Sequence, residues 1–185
     1  TRHSGVARGR KVVRVRRRDF IAGALGLAAV GGGVAYTRSG GDSGSVTPVE
    51  VETLDAPGSE AGTVEVPRRG EVTFVEFFAT WCTVCKGMMD EVARAHKEVG
   101  NEVQFLSVSN EPVGHTVTRG EVVEWWRQNG GGWTVGVDGD LRLTEALDAG
   151  GVPTTVVVDA ENRIVTADTG RKTSDEIVEA VESAL

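Results

Sequence analysis

The sequence has few of the residues from which metal sites are built. Its 185 residues include two cysteines and three histidines, whereas a closed structural zinc site takes four such ligands. Cys82 and Cys85 supply two of them. His3 lies in a basic N-terminal segment, and His96 lies about three helical turns beyond Cys85 on the helix expected there. With only His115 left, the chain cannot complete a zinc site, and we expect no metal centre.

Lysine is also scarce in the main part of the chain. Residues 37–185 carry 26 acidic and 12 basic side chains, and the lysines among them are Lys86, Lys97 and Lys172. A nucleic-acid-binding surface would carry the opposite sign, so we expect no nucleic-acid partner. Acid-rich, lysine-poor surfaces are typical of proteins from high-salt organisms, in which surface charge keeps the protein soluble. We therefore predict a halophilic protein.

The N-terminal segment has the opposite charge. Residues 1–19 carry eight basic side chains and one acidic one, and the next 17 residues, 20–36, carry no charge. A basic region followed by an apolar run is typical of an export signal, and Arg17-Arg18 resembles the pair of a twin-arginine signal. The run is also close to the minimum length of a membrane span. We predict that residues 1–36 are a twin-arginine-type signal or a membrane anchor, and that residues 37–48, rich in Gly, Ser and Thr, are a flexible linker.

Hydrophobic periodicity predicts an α/β domain over residues 49–185. The expected elements are a hairpin around Pro57-Gly58, strands at 72–78 and 103–109, helices from about Cys82 to Val99 and from Thr118 to about Asn129, a short helix near 141–148, a hairpin that turns at 159–162, and a last helix capped by Thr173 or Ser174. Strands that alternate with helices indicate a mixed β-sheet flanked by helices on both faces, here with an N-terminal β-hairpin.

The two cysteines fall where a predicted central strand ends and a helix begins. Backbone N–H groups and the dipole at a helix N-terminus stabilise a thiolate, which favours Cys82 as the nucleophile. Cys85, one turn later, is close enough to form a Cys82–Cys85 disulfide. A disulfide that closes so short a loop contributes little to stability. We therefore predict a redox-active pair, in which Cys85 resolves a mixed disulfide formed on Cys82.

Two segments carry a resemblance to a known family. "FFATWCTVCK" and "GGVPTTVVVDAENRIV", with the order of the elements, resemble the thioredoxin fold and, more narrowly, the exported TlpA/ResA/CcmG-type thiol-disulfide oxidoreductases. The likeness covers about residues 49–185. It implies that the Val152–Pro153 bond is cis, that Pro153 packs against the cysteines, and that Val152 aims its backbone at a substrate peptide, which adds as a strand.

The resemblance also implies a role for Glu76, which stands where thioredoxins carry a buried acid. Strand alternation places it among apolar residues, and burial raises the pKa of a carboxylic acid. Glu76 is therefore expected to take the proton from Cys85. The alternative is a carboxylate at a strand end that reaches solvent.

Three residues around the cysteines complete the predicted substrate site. Trp81 is expected to pack over the disulfide, the alternative being a core aromatic that happens to precede Cys82. Thr83 and Val84 separate the cysteines, a place where many of the exported relatives carry a proline. Because the intervening pair influences the redox potential, neither the potential nor a role in haem maturation carries over from the family.

The expected function is that of an extracytoplasmic reductant of protein disulfides. Its partners would be exported proteins with cysteines and a membrane thiol carrier that supplies electrons, with a membrane tether through residues 20–36. We expect a monomer and no cofactor. Three alternatives stay open: a disulfide-forming oxidant of the same fold, a thiol peroxidase, and a Sco-like copper-binding chaperone. The last is disfavoured because it needs a C-x-x-x-C spacing and a downstream histidine, and no histidine follows His115.

Overall fold

A computed structural model describes residues 45–185 of the chain. These residues form seven strands and four helices. In chain order they are β1 (Val49–Thr53), β2 (Gly62–Val66), β3 (Thr73–Phe78), α1 (Thr83–Val99), β4 (Gln104–Ser109), α2 (Arg119–Gln128), β5 (Thr134–Val137), α3 (Arg142–Ala146), β6 (Thr154–Val158), β7 (Ile164–Thr169) and α4 (Ser174–Glu182). The predicted signal or anchor, residues 1–36, lies outside the described residues.

The seven strands form one mixed sheet in the order β2-β1-β5-β4-β3-β6-β7. β3, β4 and β5 run parallel, and β6 is antiparallel to β3 at the centre of the sheet. β1 and β2 form the predicted N-terminal hairpin, which extends the sheet beyond β5. The parallel strands end at the same edge of the sheet, so the loops that follow β3 and β4 lie side by side there.

Helices cover both faces of the sheet, as predicted. One core cluster joins Phe74 and Phe78 of β3 to the buried sides of α1, α2 and α4, and the other joins Val75 and Phe77 to α3. Every residue of β3 is buried. This explains why the sequence of β3 is apolar and aromatic with a single charged residue, Glu76, because a central strand covered on both faces has no solvent side.

The sequence does not predict β5. This strand is four residues long, follows three glycines and contains Gly136, so its own propensity for strand is low. It forms because β4 and β1 pair with its two edges. Gly136 is required where it stands, since a Cβ there would lie 2.8 Å from the Val51 side chain and 2.9 Å from the Glu52 carbonyl oxygen.

The end of the predicted linker is attached to the sheet. Ser45 forms a β-bridge with Arg163, and Val46 is buried, with its N–H donating to the Asn162 carbonyl at 2.6 Å. Residues 45–48 are therefore part of the folded domain. No helix within residues 45–185 is long and apolar enough to cross a membrane.

The tryptophans of α2 behave as helix geometry requires. Adjacent helical residues cannot both face the core, so one of Trp125 and Trp126 is expected to be buried and the other partly exposed. Trp126 is fully buried and Trp125 half-buried, stacked on Phe78 with ring centroids 4.8 Å apart. Trp133 is also buried, as expected for core packing, and its ring meets that of Trp126 edge-on.

Candidate active site

Cys82 and Cys85 lie at the point where the central strand passes into α1. Cys82 is the N-cap of the helix, and its sulfur accepts a hydrogen bond from the Cys85 N–H at 3.0 Å. The two residues form a disulfide with their Cα atoms 5.3 Å apart. Cys82 is 5% exposed and Cys85 is fully buried, so an incoming partner reaches the Cys82 sulfur first.

The electrostatic setting at this helix end favours a negative charge on Cys82. The free N–H groups and the dipole of a helix stabilise an anion at its N-terminus, and α1 is 17 residues long. Its first turn contains no acidic residue that would oppose this effect. The residue at the N-cap is therefore well placed to act as a thiolate when the disulfide is reduced.

Apolar side chains border the disulfide on the solvent side. Trp81 is 73% exposed and Val84 is 50% exposed, and Thr83 between them is also exposed. An indole this accessible is not a core aromatic, which removes that alternative for Trp81. Exposed apolar groups beside a reactive sulfur form a surface on which a partner chain can pack.

The loop before β6 leads into the strand that pairs with β3, the strand before the cysteines. The Val152–Pro153 peptide bond is cis, and the Pro153 carbonyl accepts a hydrogen bond from the Gly170 N–H at 2.9 Å. Thr154, the first residue of β6, pairs with Phe77 near the end of β3. Val152 is half-buried and packs against the core cluster that contains both cysteines.

Glu76 is fully buried in the middle of the sheet. One carboxyl oxygen, Oε2, accepts a hydrogen bond from the Ser107 hydroxyl at 2.5 Å, and the other, Oε1, has no hydrogen-bond partner among the described residues. Burial raises the pKa of Glu76 from its ordinary value of 4.5 to about 7, although the hydrogen bond from Ser107 acts in the opposite direction. The alternative of a solvent-facing carboxylate is therefore excluded.

Sequence analysis missed two residues of this region. Glu111 is buried and accepts hydrogen bonds from the backbone N–H and the hydroxyl of Thr80, the residue before Trp81. Ser107 pairs with Glu76 across the parallel strands β4 and β3. The signal for Glu111 was its position just after a strand parallel to β3, since such positions meet at one edge of the sheet. Ser107 could be found only from the register of the two strands.

The described residues show no arrangement typical of a metal site. Within residues 45–185, no three side chains of the His, Cys, Asp or Glu type are placed to hold a metal ion. His115, the histidine that a copper site would need, is exposed in the loop between β4 and α2.

A C-x-x-C disulfide at the start of a helix, after the central strand of a mixed sheet and with a cis-proline before the neighbouring antiparallel strand, defines a protein of the thioredoxin fold. The chain belongs to the Redoxin family, whose model matches residues 43–185. Among curated proteins, the thiol-disulfide oxidoreductase ResA of Bacillus subtilis is 27% identical over 110 residues, which are 59% of this chain and 59% of ResA. The alignment therefore spans about three fifths of ResA.

Solved structures show the same fold. The exposed lipoprotein thioredoxin Etrx1 of Streptococcus pneumoniae superposes with a TM-score of 0.62 at 20% identity, over 74% of this chain and 99% of Etrx1. StoA of Bacillus subtilis superposes with a TM-score of 0.62 at 17% identity, over 72% of this chain and 96% of StoA. The predicted thioredoxin-like fold and the resemblance to TlpA/ResA/CcmG-type proteins are thus confirmed.

Proposed function

We propose that this protein is a thiol-disulfide oxidoreductase that acts outside the cytoplasm and reduces disulfides in exported proteins. The observation that carries the proposal is the Cys82–Cys85 pair at the N-terminus of α1, and the cis Val152–Pro153 bond supports it. The name of the relative ResA and the membership of the Redoxin family support the reaction class.

The first step uses the Cys82 thiolate. It attacks one sulfur of the substrate disulfide, so a Cys82–substrate disulfide forms while the substrate's own S–S bond breaks and its second sulfur leaves as a thiolate. The helix N-terminus lowers the free energy of the attacking anion. The Cys85 N–H, which points at the Cys82 sulfur, adds a hydrogen bond to that charge.

The second step uses Cys85 and Glu76. Glu76 accepts the thiol proton, and the Cys85 thiolate attacks the Cys82 sulfur, which releases the second substrate thiolate and forms the Cys82–Cys85 disulfide. Two electrons have then passed from the protein to the substrate. A carboxyl group whose pKa is raised to about 7 is suited to this role, because a general base works best when its pKa lies near the working pH.

The substrate docks on the surface around the disulfide. Trp81, Thr83 and Val84 offer an exposed, largely apolar rim, and an open groove next to Trp81 continues it. Pro153 lacks an N–H, and we expect the Val152 backbone to pair with an extended substrate segment at Cys82, in the manner of strand addition.

The location of the protein is proposed from its N-terminal segment, and the direction of electron transfer from the sequence resemblance. The basic and apolar regions of residues 1–36 favour export by a twin-arginine-type signal or retention as an anchor. Solved relatives described as an exposed lipoprotein and as a secreted disulfide oxidoreductase agree with such a location. A reductant there needs electrons from across the membrane, and a membrane thiol carrier would deliver them.

The proposal is tested by trapping substrates. Cys85→Ser in the full chain cannot resolve the mixed disulfide, so partners should stay covalently bound to Cys82 in the native host. A membrane thiol carrier and a restricted set of exported proteins among the trapped species would support a reductant. A broad set of newly exported proteins with no such carrier would indicate an oxidant.

Cys82→Ser is the matched control, since it should trap nothing by this route. In a purified assay of thiol exchange, each single serine variant should lose turnover. If the wild type and both variants exchange thiols at the same rate, the protein is not a thiol-disulfide oxidoreductase.

A further inference from the structure

A buried chain of hydrogen bonds ends on Glu76. The Trp133 indole N–H donates to the Ser107 hydroxyl oxygen at 2.9 Å, and the Ser107 hydroxyl donates to Glu76 Oε2 at 2.5 Å. All three side chains are buried, with Trp133 only 2% exposed and the other two fully enclosed. They come from three neighbouring parts of the sheet, because Ser107 pairs with Glu76 and Trp133 directly precedes β5.

The direction of these hydrogen bonds follows from the groups involved when Glu76 is ionised. An indole N–H can only donate and a carboxylate can only accept, so Ser107 accepts from Trp133 and its single hydrogen points to Oε2. Oε1 has no hydrogen-bond partner among the described residues. It is therefore the carboxylate oxygen that is open to take up a proton.

We propose that Ser107, held by Trp133, is a positioning residue that reserves Oε1 of Glu76 for proton exchange with Cys85. This inference rests on the proposed function. In the resolving step the Cys85 S–H bond breaks, its proton goes to Oε1, and its electron pair forms the bond to the Cys82 sulfur as the substrate thiolate leaves. Trp133 cannot pass a proton onward, since the indole N–H is not an acceptor. The hydrogen bonds through Ser107 to Trp133 therefore offer the proton no route away from Glu76.

The surroundings of Glu76 contain few groups that could compete for this proton. Cys85 on α1 shares its side of the sheet, and the residues that α2 and α4 contribute to the cluster there are apolar. On β6, Thr155 occupies the register position next to Glu76. Glu111, beyond the end of β4, is engaged by Thr80 and Ser109. No charged neighbour contributes to the pKa of Glu76, whose causes are burial and the bond from Ser107.

A stopped-flow reaction of the fully reduced chain with a chromophoric aromatic disulfide separates the two cysteines. The first release of coloured thiol reports attack by Cys82, and the second reports resolution by Cys85. For Ser107→Ala, the pH at which the second phase reaches half its maximum should rise by about one unit, because the lost hydrogen bond stabilised the carboxylate. The first phase should keep its wild-type rate and pH profile.

Further variants separate the relay from the stability of the fold. Trp133→Phe keeps an aromatic ring but removes the N–H together with part of the indole, and it should move the second-phase midpoint in the same direction by a smaller amount. Thr155→Val removes a hydroxyl on the other side of Glu76 and should leave the midpoint unchanged. In a Glu76→Gln background, Ser107→Ala should add no further change.

The outcomes are distinguishable. An unchanged second-phase midpoint in Ser107→Ala, or in Trp133→Phe should the first variant not fold, would overturn the positioning role while leaving the oxidoreductase intact. Equal shifts in Ser107→Ala and Thr155→Val would also overturn it, since any buried hydroxyl would then serve. If the wild-type chain gives neither phase, the proposed function itself fails.

Discussion

Glu111 accepts two hydrogen bonds from Thr80, one from its backbone N–H at 2.6 Å and one from its hydroxyl at 2.9 Å. The carboxyl group thereby joins the loop after β4 to the loop after β3, and Thr80 lies two residues before Cys82. The Ser109 hydroxyl donates to the same group at 3.2 Å. The approach to the cysteines is thus held by a side chain from the loop after the neighbouring strand as well as by α1.

Removal of this carboxyl group should loosen the loop that carries Trp81 and Cys82. Glu111→Ala leaves the partly buried donors of Thr80 and the buried hydroxyl of Ser109 without their acceptor, so we expect the free energy of unfolding to fall by about 1–3 kcal/mol. We also expect slower attack by Cys82. Denaturant titration and the first phase of thiol release measure the two effects. Glu102→Ala, at an exposed acid, is the control, and a Glu111 variant that matches it in both measurements would contradict the anchoring role.

The raised pKa of Glu76 should make the fold less stable as the pH rises. Between 4.5 and about 7 the folded protein holds a proton that the unfolded chain has lost, so the free energy of unfolding falls with rising pH across this window. At about 1.4 kcal/mol per pKa unit, the loss should be roughly 3 kcal/mol. This loss of stability is absent well below pH 4.5 and complete well above pH 7.

Glu76→Gln tests this pH dependence. The amide does not titrate, so the variant should lack the decline between pH 4.5 and 7 that burial of Glu76 causes. Glu124→Gln, a change at an exposed acid of α2, should keep the wild-type slope. Denaturant titrations at both ends of the window provide the measurement. Parallel stability profiles of the wild type and Glu76→Gln would show that Glu76 ionises normally in the folded state.

Two adjacent glycines should respond differently to alanine. A Cβ at Gly131 would lie 2.2 Å from ring atoms of Trp126, whose fully buried indole donates to the Pro57 carbonyl. A Cβ at Gly132 meets nothing within 4 Å. Gly131→Ala should therefore cost about 1–3 kcal/mol or more through overpacking, whereas Gly132→Ala should be close to neutral. Thermal unfolding of both variants measures the difference, and equal melting temperatures would be the contrary result.

The last helix offers a test of capping. Thr173 and Ser174 are both candidates from the sequence, and in the structure Thr173 forms a capping box with Glu176 while the backbone N–H of Ser174 donates to Glu91. Thr173→Ala should reduce the free energy of unfolding by about 1 kcal/mol. Ser174→Ala keeps the backbone donor and should cost less. If denaturant titrations show a larger loss of unfolding free energy for Ser174→Ala than for Thr173→Ala, Thr173 is not the main capping residue of α4.

Much of the fold follows from local signals in the sequence. The cysteine pair at the start of α1, the N-terminal hairpin and the capping of α4 depend on residues close together in the chain. β5 cannot be predicted from such local signals, because it is stabilised by pairing with β1 and β4 on its two sides. The roles of Glu111 and Ser107 cannot be predicted locally either, because their partners, Thr80 and Glu76, are each 31 residues away in sequence.

The sequence by itself indicated the chemistry proposed for this protein, since two cysteines three residues apart at the start of a helix are suited to thiol exchange. It also indicated that Glu76 would be buried, because strand alternation places it among apolar residues. Only the tertiary structure decided how Glu76 is held. The register of β3 against β4 brings Ser107 to one carboxyl oxygen, while the other has no partner among residues 45–185. That register is set by the packing of the whole sheet, which no local pattern encodes.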